Sequence, residues 1–382
     1  MLHSFVVGLG RSVQGLHLPS LAKAREAAPD LVAPGPVTAF DPFRGPVPGA
    51  VMVDSLEEAV RRAPPHRSVV HLCTPPHLRS GMLDRLGRLG YRKIIVEKPL
   101  ALDLAGLAAV ARVRRRWDLD LTVSTQWLDS ALTRRLRTAV EGRDHGRLRC
   151  ISVVQNKPRF TRSAQVPGHP TAFDVEVPHS LAVALSLAGS ARLVTAAWED
   201  MATDRMYLPR LGRARLRLDH HSGVRTEIDS DLTSPVRERR ITLEFEGATL
   251  TGHYPCGETD HTAQLRVAVA GRETARSVFA DDALPAFFLG AYARYRRSPF
   301  GPGTLPVQVD TVRLLTEAKD LCAVRESGTR SADGPLTDSP LDDTRPTDGS
   351  LIDTRLTDDP LTDGPPADTS LTEEAHSVHS IG

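Results

Sequence analysis

Residues 4–10, SFVVGLG, run an apolar segment straight into a Gly-x-Gly pair, and this feature most narrows what the chain can become. It predicts a buried strand, a tight turn and then a helix over residues 15–28. The first glycine, Gly8, allows the tight turn. The second, Gly10, lets backbone approach an anion at a helix N-terminus, where unpaired N–H groups favour negative charge. A third glycine would ordinarily let helix and strand pack closely. Val13 stands there instead, with Gly15 displaced by two, which predicts a slightly wider strand–helix packing.

The alternation that follows fixes the class of fold. PVTAFD (36–41), AVMVD (50–54), SVVHLCTPP (68–76), RKIIVEKP (92–99) and LDLTVSTQ (119–126) read as strands. Helices over SLEEAVRRA, capped by Ser55, and over 77–90 and 103–116 separate them. Buried strands alternating with helices predict a parallel sheet covered on both faces. Beyond residue 125 the pattern changes to polar–apolar alternation in RLRCISVVQN, RLVTAAWED, RARLRLDHH, VRTEIDSDL, RRITLEFEGATLTGHY and AQLRVAVAG. That predicts a large, mostly antiparallel open sheet with one wet face, interrupted by helices at 129–141, near 178–188, at 284–297 and at 307–325. The expected division is 1–125, an α/β domain; 126–326, an α+β domain; and 327–382, an acidic tail. Leucine or proline recurs every five residues from Leu336 to Leu371, but prolines at the repeated position argue against a stacked β-helix and for a disordered, solvated tail.

The formal charge of +1 divides unevenly: twelve acids oppose three arginines from Ser327 onward, so the tail is strongly acidic and the body basic. The near-neutral total gives no reason to expect nucleic acid or an anionic membrane as partner. Only five lysines occur, so Lys98 stands out. Cys73, Cys150, Cys256 and Cys322 are too scattered for a disulfide framework or a zinc site, and His220, His221, His253 and His261 lack ligand spacing. No metal is expected. With no signal-peptide pattern at the start and no apolar run of membrane length, a cytoplasmic protein is expected.

Two positions attach chemistry to this frame. Asp41 ends the second strand, where a carboxylate accepts ribose hydroxyls and repels a 2′-phosphate; this favours NAD over NADP, with Arg44 as the counter-signal. Glu97-Lys98-Pro99 ends a parallel strand, on the rim where open α/β sheets bind ligands. Lys98 there can exchange a proton, Glu97 can anchor it, and Pro99 fixes the turn with a peptide bond open to the cis form.

Over about residues 3–326 the chain resembles the glucose–fructose oxidoreductase / inositol dehydrogenase / MocA family. The likeness rests on GLG followed by His17-x-Pro19, on Asp41, on Thr74-Pro75-Pro76, on Glu97-Lys98-Pro99 and on the order of the domains. It implies a Rossmann domain binding NAD(P), followed by an α+β domain whose open sheet pairs protomers into a homodimer or homotetramer. The implied activity is oxidation or reduction of a sugar, cyclitol or aminosugar, with Lys98 in proton transfer. The candidate cofactor contacts are Gly8, Gly10, Arg11, Ser12, Val13, Asp41, Arg44, Thr74, Pro75, Pro76, His77, Glu97, Lys98 and Gln126.

The family's Asp-x-x-x-His pair falls on FDVEVPHSLAVALSLAG (173–189). His179 takes the histidine position, but Val175 stands where the family has aspartate. Glu176 is the preferred replacement and Asp174 the second choice, since both lie in the loop before the helix. Trp127 stands where the family usually has arginine; with Gln126 it is read as a substrate contact that stacks on the apolar face of a polyol. Lys157 is read as an exposed strand-end residue that could reach substrate. The function expected is an NAD(P)-dependent sugar or cyclitol oxidoreductase, with a place in secondary metabolism such as antibiotic biosynthesis. The alternatives are a non-catalytic dinucleotide-binding regulator, suggested by the lost aspartate, and a double-bond reductase of the pyrrole type.

Overall fold

The computed structural model describes residues 1–165, 168–257, 259–297 and 305–332. The pentad repeat of the acidic tail lies outside the described residues. Six strands form the first sheet: β1 (His3–Val7), β2 (Val37–Phe40), β3 (Ala50–Met52), β4 (Ser68–Leu72), β5 (Lys93–Glu97) and β6 (Asp120–Ser124). They lie in the order β3-β2-β1-β4-β5-β6, and every pairing is parallel. Helices α1 (Leu18–Ala27), α2 (Leu56–Arg62), α3 (Arg79–Arg88) and α4 (Leu104–Trp117) join them. Ser55 caps α2 by accepting the Glu58 N–H at 3.0 Å, and Asp103 caps α4 by accepting the Gly106 N–H at 2.7 Å. The helical winding starts at Arg11, earlier than expected, and passes through a π-helical turn at Val13–His17 before α1. Val13 is fully buried in that wider turn, which accommodates its side chain between helix and strand.

After a short helical turn at Gln126–Asp129 come α5 (Ala131–Gly142), β7 (Leu148–Asn156), α6 (Phe160–Gln165) and α7 (Val177–Ala188). The strands β8 (Ala191–Thr203), β9 (Met206–His220), β10 (Arg225–Asp231), β11 (Glu238–Phe245), β12 (Thr249–His253), β13 (Thr262–Val269) and β14 (Arg272–Ala280) follow, then α8 (Ala283–Arg296) and α9 (Leu305–Ala332). The second sheet has eight strands in the order β14-β13-β12-β11-β7-β10-β9-β8, antiparallel except where β7 meets β10. Strand β14 gave no signal in the sequence because it is an edge strand exposed on both faces, so no apolar alternation marks it. Helix α7 is buried on nearly all sides against the inner face of this sheet.

The first sheet depends on the last helices. Phe5, Val7, Val70, Leu72, Ile94 and Val96 face a core closed by α2, α3, α4 and Val312 of α9. Val6, Val69 and Ile95 point the other way, where α1 is the only crossover helix and Phe287, Phe288, Ala291, Tyr292 and Tyr295 of α8 complete the cover. Polar ties fix α8 there: Tyr295 Oη donates to the Ile94 carbonyl at 2.9 Å, and Arg294 pairs with Asp120 at 2.8 Å. Helix α9 also enters the second core through Leu314, Leu315 and Ala318. Phe288 is fully buried, so Phe288→Ala is expected to cost about 3–5 kcal/mol, read as a lower midpoint with unchanged slope in urea unfolding.

Candidate active site

The sheet order reverses between β1 and β4, and the chain leaves β1, β4 and β5 on the same rim. Open α/β sheets bind ligands in the crevice at such a switch point. Gly8 ends β1 with φ +90°, and a Cβ there would lie 3.1 Å from the Cys73 carbonyl carbon, so only glycine fits between the two turns. A Cβ at Gly10 would meet nothing within 4 Å and would project into open space at the start of the helix. Asp41 closes this turn from the side: Oδ2 accepts the Leu9 N–H at 2.6 Å and Oδ1 accepts the Phe43 N–H at 2.9 Å. Arg11, Arg44, Pro75 and His77 are exposed around the same rim, with Ser12 and Pro76 partly exposed.

Behind the rim stand buried hydroxyls without hydrogen-bond partners among the described residues: Thr74 Oγ1 after β4, and Ser124 Oγ and Thr125 Oγ1 at the end of β6. Unmet polar atoms of this kind call for a polar ligand. The open cradle at Gly10 with the helix N-terminus fits a pyrophosphate, the Asp41 carboxylate a ribose, and these hydroxyls a nicotinamide amide.

Lys98 follows β5, and the Lys98–Pro99 peptide bond is cis. Its Nζ donates to the Val175 carbonyl at 2.5 Å. Val175 thus meets the lysine with main-chain oxygen at the position where a carboxylate was expected. Burial lowers the Lys98 pKa, against the opposing pull of Glu176 and Glu97, while Lys157 and Arg159 push it lower. Glu97 bonds His17 Nε2 at 2.7 Å. Burial opposes ionisation of Glu97, but the His17 hydrogen bond and charge, with Lys98, bring it down to about 2. From His17 a buried polar chain continues to His71 (3.4 Å between the Nδ1 atoms) and on to Tyr292 Oη (2.9 Å).

His179, on the first turn of α7, is held near neutral charge: burial and the Lys98 ammonium drive its pKa to about 3. Its Nδ1 is buried without a partner among the described residues. Glu176 sits in the same charge field, hydrogen-bonded at 2.7 Å by Lys157 Nζ and at 2.7 Å by Gln155 Nε2, with Ser180 Oγ donating to Gln155 Oε1 at 2.8 Å. Burial opposes its ionisation, yet Lys157, Lys98 and His179 keep it well below the usual carboxylate range.

Three expectations are redrawn by these contacts. Asp174 does not join Lys98 and His179; it is buried in a capping box with Thr171 and pairs with Lys319 of α9 at 3.0 Å. Lys319 also donates to the Leu102 carbonyl at 2.7 Å, so Asp174 ties the loop before α7 to the segment after Lys98. Lys157 is not an exposed strand end, because its ion pair with Glu176 draws it inward to 19% exposure. Trp127 offers no sugar platform: it is 6% exposed and stacks on Tyr254 (4.4 Å between centroids) and on His179 (5.6 Å), so it supports the imidazole. Gln126 is half-buried beside it at the end of β6.

Sequence reasoning missed Arg79. Its side chain is 1% exposed and donates to the Thr74 carbonyl at 3.1 Å, to Leu100 at 3.2 Å and to Pro99. One guanidinium therefore fastens the turn after β4 to the turn that carries Lys98. Nothing in the helical pattern of α3 sets Arg79 apart from its exposed arginines. Among the described residues, no three His, Cys, Asp or Glu side chains are grouped to hold a metal ion, and no helix is long and apolar enough to cross a membrane.

No protein-family model matches the chain, and no curated protein sequence matches it. Its fold is shared with solved oxidoreductase structures at low sequence identity. An NAD-binding oxidoreductase from Klebsiella pneumoniae aligns with a TM-score of 0.70 and 16% identity, over 85% of this chain and 97% of that one. KijD10, a 3-ketoreductase from Actinomadura kijaniata crystallised with TDP-benzene and NADP, aligns at 0.67 and 16%, over 84% and 98%. A candidate NADPH-dependent oxidoreductase from Desulfitobacterium hafniense aligns at 0.71 and 14%, over 85% and 96%. The chain has the two-layered plan of these NAD(P)-binding oxidoreductases: a parallel Rossmann-type sheet followed by a mostly antiparallel one.

The two glycines are expected to separate under mutation. Gly8→Ala should destabilise the fold by about 1–3 kcal/mol through its backbone strain. Gly10→Ala should leave the urea midpoint unchanged and weaken dinucleotide binding by roughly tenfold or more, because its methyl fills the approach to the pyrophosphate. Fluorescence titration with NADH and NADPH checks the second outcome.

Proposed function

We propose that this chain is an NAD(P)-dependent oxidoreductase that acts between the carbinol and ketone forms of a sugar, cyclitol or aminosugar. The observation that carries the reading is Lys98 in one charge field with a neutral His179, whose Nδ1 has no hydrogen-bond partner among the described residues, below a glycine-paired turn at the switch point. A bound nicotinamide supplies hydride transfer at C4. Gly8, Gly10 and the helix start at Arg11 hold its pyrophosphate, and Asp41 takes the ribose hydroxyls, which favours NAD over NADP.

In this proposal Lys98 Nζ holds the proton that the substrate oxygen gains or loses. The Val175 carbonyl fixes one Nζ–H bond and so aims the others at the crevice. His179 offers an uncharged ring nitrogen to a second hydroxyl or relays the proton, with Trp127 holding its plane. Glu176 balances the nearby cations. The 3-ketoreductase among the fold neighbours supports carbinol–ketone chemistry. A role in secondary metabolism and assembly as a homodimer or homotetramer through the outer face of the β8–β14 sheet belong to the same proposal. Val175, in place of an aspartate, favours a second reading, a dinucleotide-binding regulator.

Lys98→Met is expected to lower kcat/KM by roughly 10²–10⁴-fold while NADH binding persists. In the oxidative direction the lysine must be neutral to accept a proton. Its pKa lies below the ordinary lysine value, so kcat/KM should rise with pH and level off above that lowered pKa, and the rise should vanish in Lys98→Met. Dinucleotide binding with no turnover on a broad panel of neutral and acidic sugars and polyols would favour the regulator.

A further inference from the structure

Arg159 lies just before α6 and two residues after Lys157, whose ammonium bonds Glu176, so it stands beside the same group of charges. The residue is only 7% exposed, and no hydrogen bond or ion pair joins its guanidinium to a described residue; its nitrogens are not among the fully enclosed side-chain atoms without partners, so they keep contact with solvent. The acid whose field it feels is Glu176, and both oxygens of that carboxylate already accept from Lys157 and Gln155 at 2.7 Å. Glu97 is taken by His17, and Asp174 by Lys319. Lys98, Lys157 and Arg159 thus share the charge of one carboxylate, Glu176, whose two oxygens are already hydrogen-bonded. His169 lies in the same charge field: burial and the charges of Lys98, Arg159 and Arg162 bring its pKa to about 3, so it stays neutral. A guanidinium largely withdrawn from water, with no counter-charge among the described residues, is costly, and a ligand that supplies an anion offsets that cost. Arginine's planar fork matches the two oxygens of a carboxylate or phosphate.

We infer that the substrate carries an anionic oxygen group, a carboxylate or a phosphate ester, that is seated on Arg159 with its reacting carbon toward Lys98. The inference rests on the oxidoreductase reading and names the substrate class of that site. Neutral polyols leave the guanidinium unpaired on binding, so they are poor ligands.

The test is calorimetric binding of D-glucuronate, D-glucose 6-phosphate and D-glucose to the NAD⁺-loaded protein, with turnover followed on the same panel. One or both acidic sugars should bind at least tenfold more tightly than glucose, and whichever does identifies the group. Arg159→Gln should abolish that preference and Arg159→Lys restore part of it. Removing a mostly enclosed charge with no hydrogen-bonded acid should also raise the Tm of the ligand-free protein in Arg159→Met, whereas a purely structural arginine would lower it. Equal affinity for all three sugars, or an acid preference that survives Arg159→Gln, overturns the inference and leaves the oxidoreductase reading intact. Arg159-dependent binding of acids with no turnover in any arm upholds the anion site and overturns the oxidoreductase reading.

Discussion

The parallel pairing of β1 with β2 on one side and β4 on the other is the constraint on which the rest of the molecule depends. Because the chain moves outward from β1 in both directions, the turns after β1, β4 and β5 share one rim with a gap between them. The same reversal decides which faces the helices cover. From β3 onward the crossovers α2, α3 and α4 all fall on one face, leaving Val69 and Ile95 bare on the other. Residues 283–296, almost two hundred positions later, fill that gap as α8. The rim is therefore held by a sheet whose second face is closed by the end of the chain, and α9 adds Lys319 to the segment beside Lys98.

The rim is stiffened by cations that bond backbone carbonyls of its turns. Arg79 spans the turns after β4 and β5, and Lys319 joins Leu102 to Asp174. Val175, next to Asp174, then presents its carbonyl to Lys98 at 2.5 Å. A main-chain oxygen at Val175 gives the ammonium a hydrogen bond without a negative charge. The charge stands one residue later on Glu176, which pairs with Lys157. The result is a crevice that is richer in cations than in anions, with Arg159 as the cation left over.

Much of this was legible along the chain. The five later strands of the first sheet and their helices follow from apolar runs and caps such as Ser55, because a strand buried on both faces and a capped helix are local statements. The Gly-x-Gly turn, Asp41 and Lys98 were legible for the same reason, since each occupies a strand end fixed by its neighbours in sequence. The edge strand β14 was not, because exposure on both faces erases its pattern. Val13 predicted looser packing, and the chain meets it with a π-helical turn, a choice of winding that composition does not encode.

Sequence by itself determined that a phosphate-sized turn and a lysine end two strands of one parallel sheet, because backbone geometry and hydrophobic periodicity act over a few residues. Only the tertiary structure decided which of Asp174 and Glu176 shares the charge field of Lys98, that Trp127 braces an imidazole, and that Arg79 and Arg159 are buried while neighbouring arginines are wet. Those outcomes turn on groups far apart in sequence, such as Lys319 with Asp174 and Tyr254 with Trp127. A charge's worth is set by what surrounds it in space, and no local pattern records that.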